Sequence, residues 1–487
     1  MALARPGFVA VALIAAIGGS VLGAELADLK PKIDALVAPL IESETAAGLA
    51  VGVLRGEKTA VFGYGKASRS SDKAPDGQTL FEIGSITKVF TGLALADMVQ
   101  RKELALDDPV DKHLPEPIKL PARDGRAITL LDLATHTSGL PRLPPNFAAV
   151  EAGRPDNPYA DYTLEQLHDA LPTCPLASTP GAKYAYSNLG MGLLGHVLGR
   201  RAGTSYEDLI RQRICRPLAM HDTVIALSPQ QRLRLADGHN ADGLPAGPWD
   251  IPTLAGAGAL RSTVNDLLQF ASANLALRPS PLAAAIEQSH LPRREIGRPG
   301  QHMGLGWHLG PDEGLCWHNG QTGGYHSFLA LRKPDKIAVV VLSNTGTGVV
   351  DALGHRLLRL LAGQPVEPIQ VRMPIRLDPA ALDRYTGDYG LTPGSSLSVF
   401  RDGDKLLAQV TGQAPLRIFP ESETRFFYRR ANAQITFVKD DEGRFQKLIL
   451  HQHGLDIPAW KGGLAGQLSR RAIEALFGRP KPRPKKP

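Results

Sequence analysis

The chain has 487 residues, 43% of them hydrophobic and 21% charged. That length exceeds one ordinary domain, and that balance excludes wholesale disorder. The formal net charge is +7, but five of the positive charges lie in the tail Arg479-Pro480-Lys481-Pro482-Arg483-Pro484-Lys485-Lys486-Pro487; the rest is nearly neutral and carries no nucleic-acid motif, so no nucleic-acid partner is expected.

The first 24 residues read as a secretory signal peptide. Arg5 supplies a basic start, Phe8 to Ile17 a short apolar run, and Gly23-Ala24 the small residues of a cleavage site. The run is too short and glycine-broken to cross a bilayer, so an exported protein, periplasmic or secreted, with no stable membrane span after cleavage is expected. Three cysteines, Cys174, Cys215 and Cys316, are too few for a disulfide framework; two of them could pair, in a combination the sequence leaves open. None lies in a C-x-x-C, and no cofactor or metal site is expected.

Ile33 to Ile41 predicts an amphipathic helix that Pro39 ends early. Gly48–Leu54 and Thr59–Gly65 predict a strand pair around Arg55-Gly56-Glu57-Lys58. A helix begins at Ser85, and residues 104–254 read as helix and loop. Tyr325–Leu331 and Lys336–Asn344 predict a second strand pair, closed by a helix over Ala352–Leu361. Strands at both ends with helices between them imply an α+β fold: an antiparallel sheet flanked by helices, with a mostly helical insertion. That domain is expected over residues 25–364, with a linker over 365–372. Residues 373–465 then show short alternating strands with turns at Asp402-Gly403, Asn432-Ala433 and Asp441-Glu442-Gly443, the pattern of a small all-β barrel. Residues 466–487 are expected to form a C-terminal helix and the basic Pro/Lys tail.

Chemistry is proposed by three short patterns. Ser85-Ile86-Thr87-Lys88 places a hydroxyl and an amine three residues apart at a helix start, so both lie on one face. A serine needs a neighbouring base, which a desolvated lysine can be, and helix-terminal N–H groups suit an oxyanion. A second Ser-x-x-Lys, Ser70 to Lys73, lies in a polar loop with no helix after it. Tyr186-Ser187-Asn188 opens a helical pattern; a phenol beside a lysine ammonium can have its pKa lowered and act as a base, while the amide can orient a substrate amide. His318-Asn319-Gly320 precedes an apolar strand, and an N–H just after Gly320 can complete an oxyanion hole. Two further His-x-Gly copies, at His302 and His308, do not lead directly into that strand. His136 reads as a loop-fixing residue, and His451-Gln452-His453 as structural. The absence of a Gly-x-Ser-x-Gly elbow argues against an α/β-hydrolase.

In order, context and separation these patterns resemble the penicillin-recognising serine hydrolases. The chain looks like a member of the class C β-lactamase and D-alanyl-D-alanine carboxypeptidase family, which includes esterases and D-aminopeptidases. Leu131-Asp132-Leu133-Ala134-Thr135-His136-Thr137-Ser138-Gly139-Leu140-Pro141 and Gly258–Asp266 look like its structural signatures, and the resemblance covers about Ile33 to Leu361. The C-terminal β domain resembles the lipocalin-like module appended to some members.

The resemblance implies Ser85 as nucleophile, Lys88 as its activating partner, and Tyr186 as general base and leaving-group acid. Asn188 would bind the substrate amide, His318 and Gly320 would hold the third-motif position, and the N–H groups of Ser85 and Gln321 would form the oxyanion hole. The implied substrates are D-Ala-D-Ala-type cell-wall peptides, β-lactams or, with the same site, short acyl esters. A protein that binds penicillin or cell-wall ligands without turnover is the alternative outside enzymes. Two residues depart from the class C pattern: Thr87 replaces a small Ser or Ala, and His318 replaces a lysine. If His318 meets an anionic substrate group, activity toward carboxylate-bearing substrates should rise on the acid side of its titration.

Overall fold

The computed structural model describes residue 26 and residues 28–462, apart from Arg298 and Pro393. The expected signal peptide and the whole of the expected C-terminal helix and tail lie outside the described residues. The chain divides into two compact units, one up to Gln370 and one from Val371.

The first unit is built on an eight-stranded antiparallel sheet. Its five long strands are β1 (Gly48–Arg55), β2 (Lys58–Gly65), β3 (Leu315–Gln321), β4 (His326–Arg332) and β5 (Ile337–Ser343). They lie in the order β2-β1-β5-β4-β3, and three two-residue strands, His308–Leu309, His302–Met303 and Arg294–Glu295, extend the sheet beyond β3. Residues from the two ends of the unit therefore pair directly at β1 and β5, in register Gly52↔Val340.

β1 and β5 are near-continuous apolar runs because helices cover both of their faces. On one face packs α4 (Val264–Asn274): a Cβ on Gly52 would strike Val264 Cγ1 at 2.4 Å. On the other packs α5 (Val349–Leu361), whose Gly354 is pressed against the Phe328 ring of β4. Val350, Leu353, Leu357, Leu358 and Leu361 make its buried stripe. The first helix, α1 (Lys30–Glu42), keeps Pro39 inside it. The sequence expectation of an early stop there does not hold: the helix runs on through the proline to Glu42.

Helix α2 (Thr87–Gln100) is buried on nearly every side, from Thr87 to Met98, at the centre of the main apolar core. Helix α3 (Asn188–Ala202) lies close to it and ends in Gly203 at a left-handed φ of +67°. Segment 256–262 runs beside α2 and pairs through Arg261–Ser262 with Phe81–Glu82, just before Ser85.

All three cysteines are buried and unpaired. The pairing left open by the sequence is therefore absent from the structure.

The second unit is a closed barrel of eight antiparallel strands, from Gly387–Thr392 to Leu455–Lys461. The first and last strands meet through Tyr389↔Lys461 and Gly390↔Trp460, which removes the free sheet edges. Gly403 and Gly443 supply left-handed turn residues at the expected turns, with φ of +61° and +78°. Tyr385, Phe426, Phe437 and Phe445 interlock in the interior, with ring centroids 4.7–5.8 Å apart. His451 bonds Thr436 Oγ1 and Asp456, at 2.8 and 2.6 Å, a structural task in keeping with its sequence reading. Among the described residues no helix is long and apolar enough to cross a membrane.

Candidate active site

Ser85 stands on one tight turn, Gly84–Ile86, that runs straight into α2. Gly84 has φ +46°, and a Cβ there would sit 2.7 Å from Gln321 N. Gly320 answers from β3: its Cβ would lie 2.0 Å from Ile83 O and 2.8 Å from Ser85 N. Neither position can carry a side chain, so the main chains around Ser85 and Gln321 lie side by side. Ser327 Oγ ties the two segments by donating to Ile83 O at 2.8 Å.

One turn along α2, Lys88 is wholly buried. Its Nζ lies 2.9 Å from Ser85 Oγ, 3.0 Å from Asn188 Oδ1 and 2.6 Å from Ala257 O. Burial, and then the positive charge of Arg142, hold the amine well below the ordinary lysine range. A neutral amine has two N–H groups and one lone pair. The Ala257 carbonyl and Asn188 Oδ1 can only accept, so they take the two N–H groups. The lone pair is left facing the Ser85 hydroxyl.

The surrounding hydroxyls set this arrangement. Thr87 Oγ1 accepts from Leu260 N at 3.1 Å, and Thr91 Oγ1 donates to Gly256 O at 2.8 Å. Both hold segment 256–260 against α2 and so place the Ala257 carbonyl. Thr87, one of the two departures from the resembled pattern, thus has a positioning task.

Tyr186 enters from the start of α3. Ser187 caps that helix, accepting from Gly190 N at 2.9 Å and donating to Pro141 O at 2.7 Å. His136 Nδ1 accepts from Ser187 N at 3.1 Å, and its ring packs 4.4 Å from that of Tyr186. The sequence reading of His136 as a loop-fixing residue agrees with these contacts. Burial pushes the Tyr186 phenol upward, and a hydrogen bond with Ser85 offsets part of that rise. The sequence expectation of a lowered phenol pKa is therefore reversed. Its premise was a charged lysine beside the ring; Lys88 does lie 4.9 Å from the ring centroid, but burial disfavours its charge. Tyr186 is thereby held as a phenol, a proton donor.

Asn188 is bound at both ends of its amide, Oδ1 to Lys88 and Nδ2 to Tyr159 OH at 3.2 Å. Ser85, Tyr186, Asn188, Gly320 and Gln321 all line one cavity of about 610 Å³. Lys88 lies beneath its floor.

His318 is placed differently. The sequence suggests a loop before the strand, but His318 is inside β3, where side chains alternate. Cys316, His318 and Gly320 pair with Leu331, Leu329 and Ser327, and share their inward face. The His318 ring is 0% exposed and does not line the cavity. Its Nδ1–H donates to Asn319 O at 2.5 Å, and burial holds the imidazole well below its ordinary value. Enclosed and outside the lining, the imidazole is not placed to meet a substrate carboxylate, the condition on which the sequence reading made its pH dependence rest. His308, set aside in the sequence, is the imidazole at the cavity; its ring lies 4.9 Å from that of His318.

Sequence reasoning also misses Arg142, Tyr159, Tyr184, Trp249 and Thr322, which with Asn319 complete the lining. The only signal was position: Arg142 directly follows the Leu131–Pro141 signature, and Tyr184 lies two residues before Tyr186.

Beneath Trp249 and Thr322 lies a buried ion pair, Glu82 with Arg261, at 3.2 Å. Glu82 also accepts from Trp249 N at 2.8 Å. Burial pushes its carboxyl up to about 7, against the pull of Arg261.

A family profile described as Beta-lactamase matches residues 33–364. The chain belongs to the beta-lactamase family. Residues 371–460, which include most of the barrel, match a domain of unknown function, DUF3471. Among curated members, the D-alanyl-D-alanine-carboxypeptidase/endopeptidase AmpH of Escherichia coli K12 is 32% identical over 313 residues, 61% of this chain and 79% of that protein. Penicillin-binding protein 4* of Bacillus subtilis is 27% identical over 419 residues, 81% of this chain and 89% of its own length. A solved beta-lactamase/D-alanine carboxypeptidase from Yersinia pestis superposes with a TM-score of 0.60 at 25% identity, covering 69% of this chain and 99% of that one. A class C beta-lactamase structure gives the same TM-score at 23% identity, over 71% and 98%. Family membership makes this chain a serine hydrolase of the class C type.

Proposed function

We propose that the protein is an exported hydrolase that forms an acyl-enzyme on Ser85 with D-Ala-D-Ala-type peptides or β-lactams. The observation that carries this reading is the contact set of Lys88, with two obligate acceptors on its N–H groups and Ser85 Oγ opposite its lone pair.

Lys88 takes the Ser85 proton as Oγ attacks the substrate carbonyl. The N–H groups of Ser85 and Gln321, brought together at Gly84 and Gly320, receive the oxyanion. Tyr186 gives its phenolic proton to the departing nitrogen, which an amide requires and a good ester leaving group does not. Asn188 keeps Lys88 oriented and presents its amide to the substrate. The resulting ester at Ser85 is then hydrolysed by water, with the same groups serving in reverse.

A second reading, an esterase using the same site, draws on His318. Its burial leaves the third-motif position without a charge for a β-lactam carboxylate.

Intact-mass measurement during incubation with a penicillin, a D-Ala-D-Ala peptide and a short ester tests both. A covalent adduct that forms and decays, absent in Ser85→Ala, is expected. Undiminished labelling of Ser85→Ala would refute the acyl-enzyme. Ester turnover without any adduct or product from the peptide and the penicillin would favour the esterase.

A further inference from the structure

The cavity has one full positive charge on its walls and no negative one. Of its lining residues only Arg142 carries a permanent charge, and no Asp or Glu is among them. Arg142 is exposed, its Cζ lies 5.3 Å from the Tyr186 ring centroid, and among the described residues it forms no ion pair. The groups that feel its charge around the cavity are Lys88, Tyr159, Tyr184 and Tyr186, with His136 behind them. Burial favours the neutral form of each of them, so none supplies a counter-charge.

The guanidinium stands on a fixed base. Arg142 O accepts from both Asn188 N and Leu189 N, at 2.9 and 3.0 Å, and Pro141 O accepts from Ser187 Oγ at 2.7 Å. Three hydrogen bonds thus clamp residues 141–142 to the start of α3, where Tyr186 precedes the cap and Asn188 opens the helix. The backbone that carries the cation is thus fixed relative to two other site residues, which reduces the ordering needed when a ligand binds. His318, buried at the other wall, offers the substrate no charge.

We infer that Arg142 is the specificity-determining residue of this site, and that it selects acyl esters or amides bearing a free carboxylate. A planar guanidinium meets a carboxylate with two parallel N–H···O bonds, and the phenol and indole walls of Tyr159, Tyr184 and Trp249 take the uncharged body of the substrate. This assignment rests on the acyl-enzyme reading of Ser85.

Three nitrophenyl esters of matched chain length test it: a neutral butyrate, a hemisuccinate with its carboxylate on the acyl part, and a butyrate whose aryl ring bears the carboxylate. Measured as kcat/KM relative to the neutral ester, at least one charged ester should lose about tenfold in Arg142→Gln, the scale of an exposed charge-assisted pair. The loss should fall mainly in KM, recover in part in Arg142→Lys, and shrink in the wild type as salt rises. The arm that responds places the carboxylate on the acyl or the leaving side. Ratios unchanged for both charged esters would overturn the role of Arg142. Ser85→Ala, run on the same esters, should abolish turnover; persisting turnover would overturn the acyl-enzyme reading instead, whatever the Arg142 ratios show.

Discussion

The two units bury different things. The barrel encloses Tyr385, Phe426, Phe437 and Phe445, apolar faces in contact with one another, with the hydroxyls of Tyr389 and Tyr385 bonded to Tyr385 O at 2.9 Å and Glu423 O at 2.7 Å. The first unit encloses an amine, Lys88, and a carboxylate–guanidinium pair, Glu82 and Arg261. Removing such groups from water costs stability unless each is paired. The barrel interior is what a sequence needs only to fold, whereas the first unit retains costly groups beside its cavity. This difference, more than any motif, locates the chemistry in the first unit.

Two experiments would break or sharpen that contrast. The larger effect is expected in the barrel. Phe437→Ala removes a 1%-exposed ring from the aromatic cluster and should cost about 3–5 kcal/mol. In thermal unfolding the transition of the second unit should fall while covalent labelling of Ser85 at room temperature is retained. Loss of labelling in the folded variant would show that the barrel takes part in the chemistry.

A smaller and more selective effect is expected in the cavity. Tyr186→Phe removes the proton donor without a change of volume. Hydrolysis of an amide should fall by about a hundredfold or more, while an activated nitrophenyl ester, whose leaving group needs no proton, should change little. Equal losses on both substrates would assign Tyr186 to positioning or to base catalysis.

Much of the site was legible because its parts are local in sequence. Ser85 and Lys88 are one helical turn apart, and Tyr186 and Asn188 flank a helix cap, so short spacing fixes their relation before any tertiary contact forms. The strand pairs and the barrel turns were legible for the same reason: short apolar runs bounded by turn residues, and Asp-Gly punctuation, are short-range signals. Arg142, Trp249 and His308 reach the cavity only through contacts more than forty residues away in sequence from the nucleophile, which no local pattern encodes. His318 was misplaced by its surroundings. Leu315-Cys316-Trp317-His318-Asn319-Gly320-Gln321 is short, polar and glycine-containing, and reads as loop; pairing with β4 makes it a strand and turns the imidazole inward. Tyr186 was legible in place but not in protonation, because the sequence does not report how deeply a ring is buried.

The central claim is that Lys88, as a neutral amine, takes the Ser85 proton. The direct measurement is the single-turnover acylation rate of Ser85, followed from about pH 5 to about pH 11. A base whose pKa is lowered in the folded protein is active above that value and protonated below it. The account predicts a rate that falls only toward acid and is flat through neutrality and beyond. A rate that climbs steadily with pH until about pH 10, where an unperturbed lysine or tyrosine loses its proton, would contradict it.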